Sequence, residues 1–220
     1  MEIADRVEQS LLNPDSAEND VRLLCMAAKE HQLAAVAVPP VWVRFAGVAL
    51  ANSSVALDTP IGYPMGTHTA SVKGLEARLA LEEGASEVTI VPNLSAYKTG
   101  YRELFKQDLS YVVKQCRLVN PNALTRVLLY LDLLSLAEQR EVVRLVQESG
   151  GRSLVLATYG GGPIKPTMLR RVTEFVKPGG EIGVWGRWSN MDEVGPLLSM
   201  GISRLTTPAG VDLVLDARES

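Results

Sequence analysis

Short apolar runs alternate with amphipathic helical segments along most of the chain. The most strand-like run, residues 154–157, is apolar without alternation, which is typical of a parallel strand that is covered on both faces. Similar short runs predict further strands, at 7–12, 33–38, 54–62, 86–91, 126–131, 181–185 and 203–207. Parallel strands need crossover connections, and the helical segments between these runs supply them.

The helical segments carry recognisable start signals and apolar faces. Ser16 is a plausible N-cap for the first long helix, and Ser135 with Glu138 forms a capping box for a later one. Other helices are expected at about 69–83 and 101–118. The residues expected to face the core of the first two helices are Val21, Leu24, Cys25 and Ala28, and Val72, Leu75, Leu79 and Ala80.

Eight strand–helix repeats are the number that closes a barrel. We therefore expect the α/β class, with residues 1–220 forming a single (β/α)8 TIM barrel that has a short N-terminal helix. An open doubly wound sheet is the alternative that the pattern alone leaves.

Composition narrows the class of protein. The net charge of −3 offers no electrostatic footprint for nucleic acid or an anionic membrane, and no apolar run approaches the roughly 20 residues of a membrane span. The acidic segment at 1–12 lacks the features of a signal peptide, and Cys25 and Cys116 fit small buried side chains of a reducing compartment. We expect a cytoplasmic protein without a metal or cofactor.

A glycine-rich turn follows the strand at 153–157. Gly160, Gly161 and Gly162 precede a helical pattern that opens at Thr167. In a β/α barrel such a turn lies at the carboxyl end of a strand, where active sites are built and backbone N–H groups can hold a phosphate. The turn itself has no obvious catalytic side chain.

Several stretches together resemble the deoxyribose-phosphate aldolase family. They are SLLNPDSAENDVRLLCMAAKEHQLAAVAVPP, IGYPMG, SVKGLEARLALEEGASEV, NLSAYKTG and GISRLTTPAGV, and they span nearly the whole chain in order. The resemblance implies a TIM barrel and a class I aldolase, in which a lysine forms a Schiff base and 2-deoxyribose 5-phosphate is cleaved to acetaldehyde and glyceraldehyde 3-phosphate. Because the family often forms dimers, it also implies a homo-oligomer.

The residues at the family's catalytic positions differ. Where the resemblance implies a Schiff-base lysine on the sixth strand and a second lysine on the seventh, LVLATYG and GVWGRW place Leu156 and Trp185. Thr89 stands where the family uses an aspartate in proton transfer. A leucine cannot form an imine, and a hydroxyl is a poor substitute for a carboxylate in proton transfer.

The phosphate-binding features implied by the family are altered as well. Gly160 is kept, but the glycine pair after the seventh strand has become part of GRWSN, and Thr207 is followed by Pro208, which lacks an N–H donor. The remaining candidates for holding a phosphorylated or carbonyl ligand are Gly160, Gly161, Gly162, Gly186, Arg187 and Thr207.

Other residues are candidates for the mouth of the barrel. They are Asp58, His68, Asp132, Tyr159 and Trp188. Trp185 either closes the old pocket or, with Trp188 and Arg187, forms a new stacking and anion-binding site. Lys165, on the glycine-rich loop, is the candidate for a relocated Schiff-base lysine.

These observations leave two hypotheses. The first is an aldolase-like barrel that has lost Schiff-base cleavage and acts in binding or partner interaction. The alternative is an active lyase that performs the aldolase reaction, or a related one, with a relocated lysine such as Lys165.

Overall fold

The computed structural model describes residues 3–151, 153–176 and 180–219. Within them the chain forms a closed, parallel, eight-stranded barrel in sequential order, in which the first strand pairs with the last. The strands are β1 Val7–Ser10, β2 Ala35–Ala37, β3 Ala56–Ile61, β4 Glu87–Ile90, β5 Leu124–Tyr130, β6 Ser153–Ala157, β7 Glu181–Trp185 and β8 Arg204–Thr207. The expected (β/α)8 fold is confirmed, and the open doubly wound sheet is excluded.

Helices surround the barrel and connect its strands. They are α1 Glu18–Glu30, α2 Val43–Ala49, α3 Ala70–Glu82, α4 Leu94–Lys98, α5 Arg102–Val119, α6 Leu136–Glu148, α7 Pro166–Thr173, α8 Met191–Leu198 and α9 Gly210–Glu219. The expected N-terminal helix is a single 3-10 turn, Ala4–Arg6. The capping box of Ser135 and Glu138 is confirmed.

The start of α1 differs from the expectation. The residue before the helix is Ala17, whose N–H donates to Asp20 Oδ2 at 2.8 Å, so Asp20 takes the capping role that the sequence suggested for Ser16. The core-facing residues of α1 are the expected ones, since Val21 and Cys25 are fully buried.

The expected core face of α3 is wrong for three of its four residues, and Ala80 is buried as expected. Val72, Leu75 and Leu79 are about half exposed, whereas Lys73 and Ala77 are fully buried. Two close contacts determine this orientation: Gly74 lies against the ring of Tyr111 on α5, and Lys73 forms an ion pair with Asp108 at 2.6 Å. Because α3 has apolar residues on more than one face, these contacts, and not hydrophobicity alone, decide which face is buried.

The amino-terminal half of the barrel interior is filled by charged side chains. Arg126 Nη2 contacts carboxylate oxygens of Glu8, Asp58 at 2.8 Å and Glu87 at 3.5 Å. Arg204 lies 3.4 Å from both Glu8 and Glu87. These five residues come from β1, β3, β4, β5 and β8, so they can meet only inside the barrel. We call them the interior ion cluster.

Removing Arg126 leaves three buried carboxylates with only the partly exposed Arg204 as counter-charge. We expect Arg126→Leu to lower the free energy of unfolding by about 3–5 kcal/mol, because uncompensated buried charge is strongly destabilising. Urea unfolding of the variant beside the parent measures this difference.

Two further variants complete the test of the ion cluster. Arg204→Leu should cost less, because the Arg204 side chain is 21% exposed, and Arg126→Lys should cost less than Arg126→Leu because it keeps the charge. Equal losses for Arg126→Leu and Arg204→Leu would show that Arg126 is not the central cation.

Candidate functional site

A cavity of about 910 Å³ opens at the carboxyl ends of the strands. Leu128 and Ala157 belong to the interior apolar cluster and also line this cavity, so they form its floor. The side formed by the β1–α1 segment and α9 includes the aliphatic Leu11, Leu12, Leu23, Leu24 and Val211 together with the polar Gln9, Ser10, Asn13 and Asp20. The opposite side is aromatic and consists of Tyr63, Tyr130, Tyr159 and Trp185. We call this cavity the mouth pocket.

Two aromatic pairs form the aromatic side of the mouth pocket. Trp185 stacks on Tyr63 with ring centroids 5.7 Å apart and ring planes 9° apart. Tyr130 packs edge-to-face on Tyr159 at 5.2 Å, and the Tyr130 hydroxyl donates to Pro64 O at 3.0 Å. Trp185 therefore covers the interior without filling the mouth. The expectation that it closes the pocket is wrong, since the cavity remains beside it.

Arg187 is the cation of the mouth pocket among the described residues. It is exposed, and its guanidinium has neither a hydrogen bond nor an ion pair in the described ranges. A methyl group placed on Gly161 would lie 3.6 Å from Arg187 Nε, so the guanidinium lies beside the glycine-rich turn. Burial raises the pKa of the nearby Tyr63, and the positive charge of Arg187 partly opposes that shift.

The glycine-rich turn borders the mouth pocket only in part. Gly160 and Gly161 line it and have φ of 91° and 73°, the left-handed conformation that glycine adopts most easily. The N–H of Gly161 is occupied, because it donates to Thr158 O. Gly162 is not among the lining residues, and its carbonyl accepts a hydrogen bond from the Thr158 hydroxyl.

The Thr207 hydroxyl at the end of the last strand is not free for a ligand, whereas the buried Thr206 hydroxyl beside it has no hydrogen-bond partner among the described residues. Thr207 is fully buried; its hydroxyl donates to Trp188 O at 2.8 Å and accepts from Trp188 N and Ala209 N. Nearby, Gln9 Oε1 accepts the N–H of Val211, in the first turn of α9, at 3.0 Å. The Thr207 hydroxyl and the Val211 N–H, which could otherwise bind an anion, are thus bonded to the protein itself.

Trp188 is a core residue and not a mouth residue. Its side chain is 8% exposed and belongs to the large cluster between the barrel and the helices. The ring packs so closely on Gly186 that an added Cβ there would lie 2.4 Å from it. Gly186 borders the mouth pocket, but its role is to leave room for Trp188.

Three further candidates lie outside the mouth pocket, and all three are exposed. Lys165 precedes the first residue of α7. His68 lies in the connection between β3 and α3. Asp132 Oδ1 accepts from Tyr159 N at 2.8 Å, so Asp132 orients the glycine-rich turn instead of facing a ligand.

Asp58 is inside the barrel, not at its mouth. It is fully buried in the interior ion cluster, where its Oδ2 also accepts from the Thr89 hydroxyl at 2.8 Å. Its place near the carboxyl end of the predicted strand was misleading, because Asp58 is the third residue of β3 and lies at the level of Glu87, the first residue of β4. Burial raises the pKa of Asp58 to about 7; Glu8 and Glu87 add to the shift, while Arg126 and Thr89 oppose it.

The comparisons with known proteins agree with this barrel. No family model matches the sequence. The deoxyribose-phosphate aldolase of Enterococcus faecalis is 31% identical over 218 residues, which cover 99% of this chain and 98% of the relative. Among solved structures, an aldolase called QR15 has a TM-score of 0.90 at 23% identity, covering 99% of this chain and 96% of its own. The tetrameric deoxyribose phosphate aldolase of Aeropyrum pernix has a TM-score of 0.88 at 24% identity, covering 98% and 91%.

The chain belongs to the deoxyribose-phosphate aldolase family. The aldolase resemblance drawn from the sequence is therefore confirmed, and so is the fold that it implied. Within the described residues, no helix is both long and apolar enough to cross a membrane, and no group of three or more His, Cys, Asp or Glu side chains is arranged to hold a metal ion.

The structure corrects one register of the aldolase resemblance. Leu156 lies beside Val184 in the sheet, and both belong to the cluster that faces the helices. The β6 residues that pack in the interior cluster with Trp185 are Val155 and Ala157. Leu156 is thus on the outer face of the strand, and the inward positions next to it carry no amine either.

Six of the seven lysines of this aldolase-family chain lie in the described ranges, and none of the six lines the mouth pocket. The fully buried one, Lys73, donates to Asp108 Oδ2 and to the carbonyls of Gly66 and Val91, so it joins α3, α5 and the end of β4. Lys177 is outside the described residues.

The raised pKa of Asp58 makes stability depend on pH. The folded protein holds a proton on Asp58 up to pH of about 7, whereas the unfolded chain releases it near the ordinary value of 3.8. The free energy of unfolding should therefore fall as the pH rises from about 4 to about 7, by at most about 1.4 kcal/mol per pH unit from this group.

Asp58→Asn isolates this contribution. The variant is neutral throughout, so its urea-unfolding profile should be flatter than the parent's across that pH range. Arg126, Glu8 and Glu87 face Asp58 and remain in both proteins, so the difference between the profiles reports Asp58. Parallel profiles would contradict the assignment.

Gly186→Ala tests the packing of Trp188. Because the new Cβ overlaps the ring, we expect a loss of about 1–3 kcal/mol in the free energy of unfolding and a changed near-ultraviolet circular dichroism spectrum. Gly195→Ala is the control: apart from its chain neighbours, no heavy atom lies within 4 Å of its added Cβ. Because Pro196 follows and restricts a preceding alanine in the helix, we expect no stabilisation, but a smaller loss than for Gly186→Ala. Equal stability of Gly186→Ala and the parent would show that the ring has room to move.

Proposed function

We propose that this chain is a deoxyribose-phosphate aldolase family protein that binds a small ligand in the mouth pocket without forming a Schiff base. The observation that carries this proposal is the lining of the pocket, which contains no lysine among the described residues. An imine requires a primary amine within reach of the bound carbonyl. Val155, Ala157 and Trp185 occupy the inward positions of β6 and β7 where such an amine would have to stand.

The carboxylate chemistry of the pocket also supports a binding role. Thr89 donates its hydrogen bond to Asp58 and not towards the mouth. Asp58 does not line the mouth pocket, because it is held in the interior ion cluster. The carboxylate that does line it, Asp20, caps α1 through Ala17 N. We therefore propose no proton-transfer role for Asp58 or Asp20.

The position of Lys165 argues against the alternative of an active lyase. Lys165 is exposed and outside the lining of the mouth pocket, so its amine is not held within reach of a carbonyl bound there.

Three further points of organisation belong to the proposal. We propose that residues 1–220 form one domain, that the protein acts in the cytoplasm and that it is a homo-oligomer, for which the smallest form is a dimer. The tetrameric Aeropyrum pernix relative supports an oligomer, and the half-exposed Val72, Leu75 and Leu79 on α3 offer apolar surface for contact between subunits.

Borohydride trapping tests the loss of imine chemistry. The purified protein is mixed with acetaldehyde or 2-deoxyribose 5-phosphate at neutral pH, reduced, and examined by intact-protein and peptide mass spectrometry. We expect no covalent increment above that of a reduced sample without aldehyde. The Enterococcus faecalis relative, treated in parallel, shows that the conditions trap an imine.

A stoichiometric adduct on one lysine would overturn the proposal. Lys165→Ala then identifies the site: an adduct that disappears in this variant, together with lost release of glyceraldehyde 3-phosphate, would establish the alternative of an active lyase with a relocated lysine.

A further inference from the structure

The mouth pocket differs in chemistry from a site for a phosphorylated sugar. The geometry points to a planar aromatic carboxylate as its ligand, with the ring stacked on the Tyr63–Trp185 pair and the carboxylate held by Arg187. This inference rests on the proposed binding function and specifies the class of ligand.

The aromatic side of the mouth pocket has uncovered ring surface. The rings of Tyr63 and Trp185 are nearly parallel and stacked. Even so, Tyr63 is 41% exposed and Trp185 is partly exposed, and both residues line the cavity. The second pair adds the ring of Tyr159, which is 49% exposed. Stacked and edge-to-face aromatic contacts are favourable beyond the area that they bury, so these rings form a surface suited to a flat ring.

The position of Arg187, which has no ion-pair partner in the described ranges, suits a ligand with an acidic group. Arg187 follows Trp185 by two residues, and it is close enough to Tyr63 to affect its pKa. Its guanidinium has no protein carboxylate as a partner in the described ranges, and a planar fork of N–H donors matches a carboxylate in two parallel hydrogen bonds. A ring on the stack thus lies next to a group that binds its acidic substituent.

Several groups that could hold a sugar phosphate are not available in the described part of the mouth pocket. A sugar phosphate brings a dianion and several hydroxyls, but the Thr207 hydroxyl and the first-turn N–H of Val211 are already bonded within the protein. Pro208, which also lines the pocket, has no N–H. On the side of the β1–α1 segment and α9, leucines and Val211 offer apolar contact beside the polar Gln9, Ser10, Asn13 and Asp20. A cavity of about 910 Å³ easily holds one or two fused rings.

Three soluble probes separate the two components of recognition. Benzoate is planar and anionic, benzamide is planar and neutral, and cyclohexanecarboxylate is anionic without a flat ring. By isothermal calorimetry we expect benzoate to bind about tenfold or more tightly than benzamide, because it adds charge-assisted hydrogen bonds. We expect it to bind about two- to tenfold more tightly than cyclohexanecarboxylate, because it adds stacking. Inorganic phosphate should bind more weakly than benzoate.

Variants assign the two components to residues. Arg187→Gln should weaken benzoate about tenfold or more and leave benzamide unchanged. Arg170→Gln, at an exposed arginine on α7 outside the pocket, is the control and should change neither affinity. Trp185→Leu should weaken benzoate and benzamide alike. Trp185→Phe should keep most of the benzoate affinity but lose the tryptophan fluorescence change that accompanies binding.

The outcomes distinguish this inference from the proposed function. Equal affinities for benzoate and benzamide, no effect of Arg187→Gln, or tighter binding of 2-deoxyribose 5-phosphate than of benzoate would each overturn the aromatic-carboxylate assignment while leaving the absence of an imine untouched. A borohydride adduct would overturn the binding-only function whatever the probes do. Thermal melts of each variant confirm that the comparison is made on folded protein.

Discussion

The ion pairs of Arg126 inside the barrel are the interaction on which the rest of the structure depends. One guanidinium contacts three carboxylates from three strands, and Arg204 is the second cation beside them. Burial away from water is the main reason why the pKa of Asp58 is raised and a proton stays on it near neutral pH; Arg126 opposes this shift, while Glu8 and Glu87 add to it. The cluster occupies the amino-terminal half of the interior, so ligand chemistry is confined to the opposite, carboxyl end.

At that carboxyl end, the protein satisfies its own polar groups. Thr207 is bonded to Trp188, and the amide oxygen of Gln9 caps the first turn of α9. Helix N-termini and strand-end hydroxyls are the usual holders of anions in such barrels, and here the Val211 N–H and the Thr207 hydroxyl are bonded to neighbouring residues. The mouth pocket therefore presents aromatic rings and one guanidinium, with the Asp20 carboxylate elsewhere in its lining. The rings and the guanidinium together favour flat anions over sugars.

The sequence predicts the fold, but it does not predict how deep a side chain lies in the barrel or on which face of its strand it lies. Eight apolar runs at crossover spacing predict parallel strands covered on both faces, and the number eight favours a barrel over an open sheet. A continuously apolar strand does not indicate which of its residues point into the barrel. The resemblance matches Leu156 to the family's lysine, but Val155 and Ala157 are the residues that point inward. Asp58 was misplaced because its depth depends on the stagger of neighbouring strands, and Trp188 because its burial depends on a glycine two residues away.

The pairing of β1 with β8 also affects how the chain can be made. Glu8 meets Arg204, and Gln9 meets Val211, across about 200 residues of sequence. During synthesis at 5–20 residues per second, the first strand must wait roughly 10–40 seconds for its neighbour to emerge. Throughout that interval β1 has an unpaired edge and an acid without one of its counter-ions. The barrel therefore cannot close before β8 is made, and the contacts between β1 and β8 can form only then.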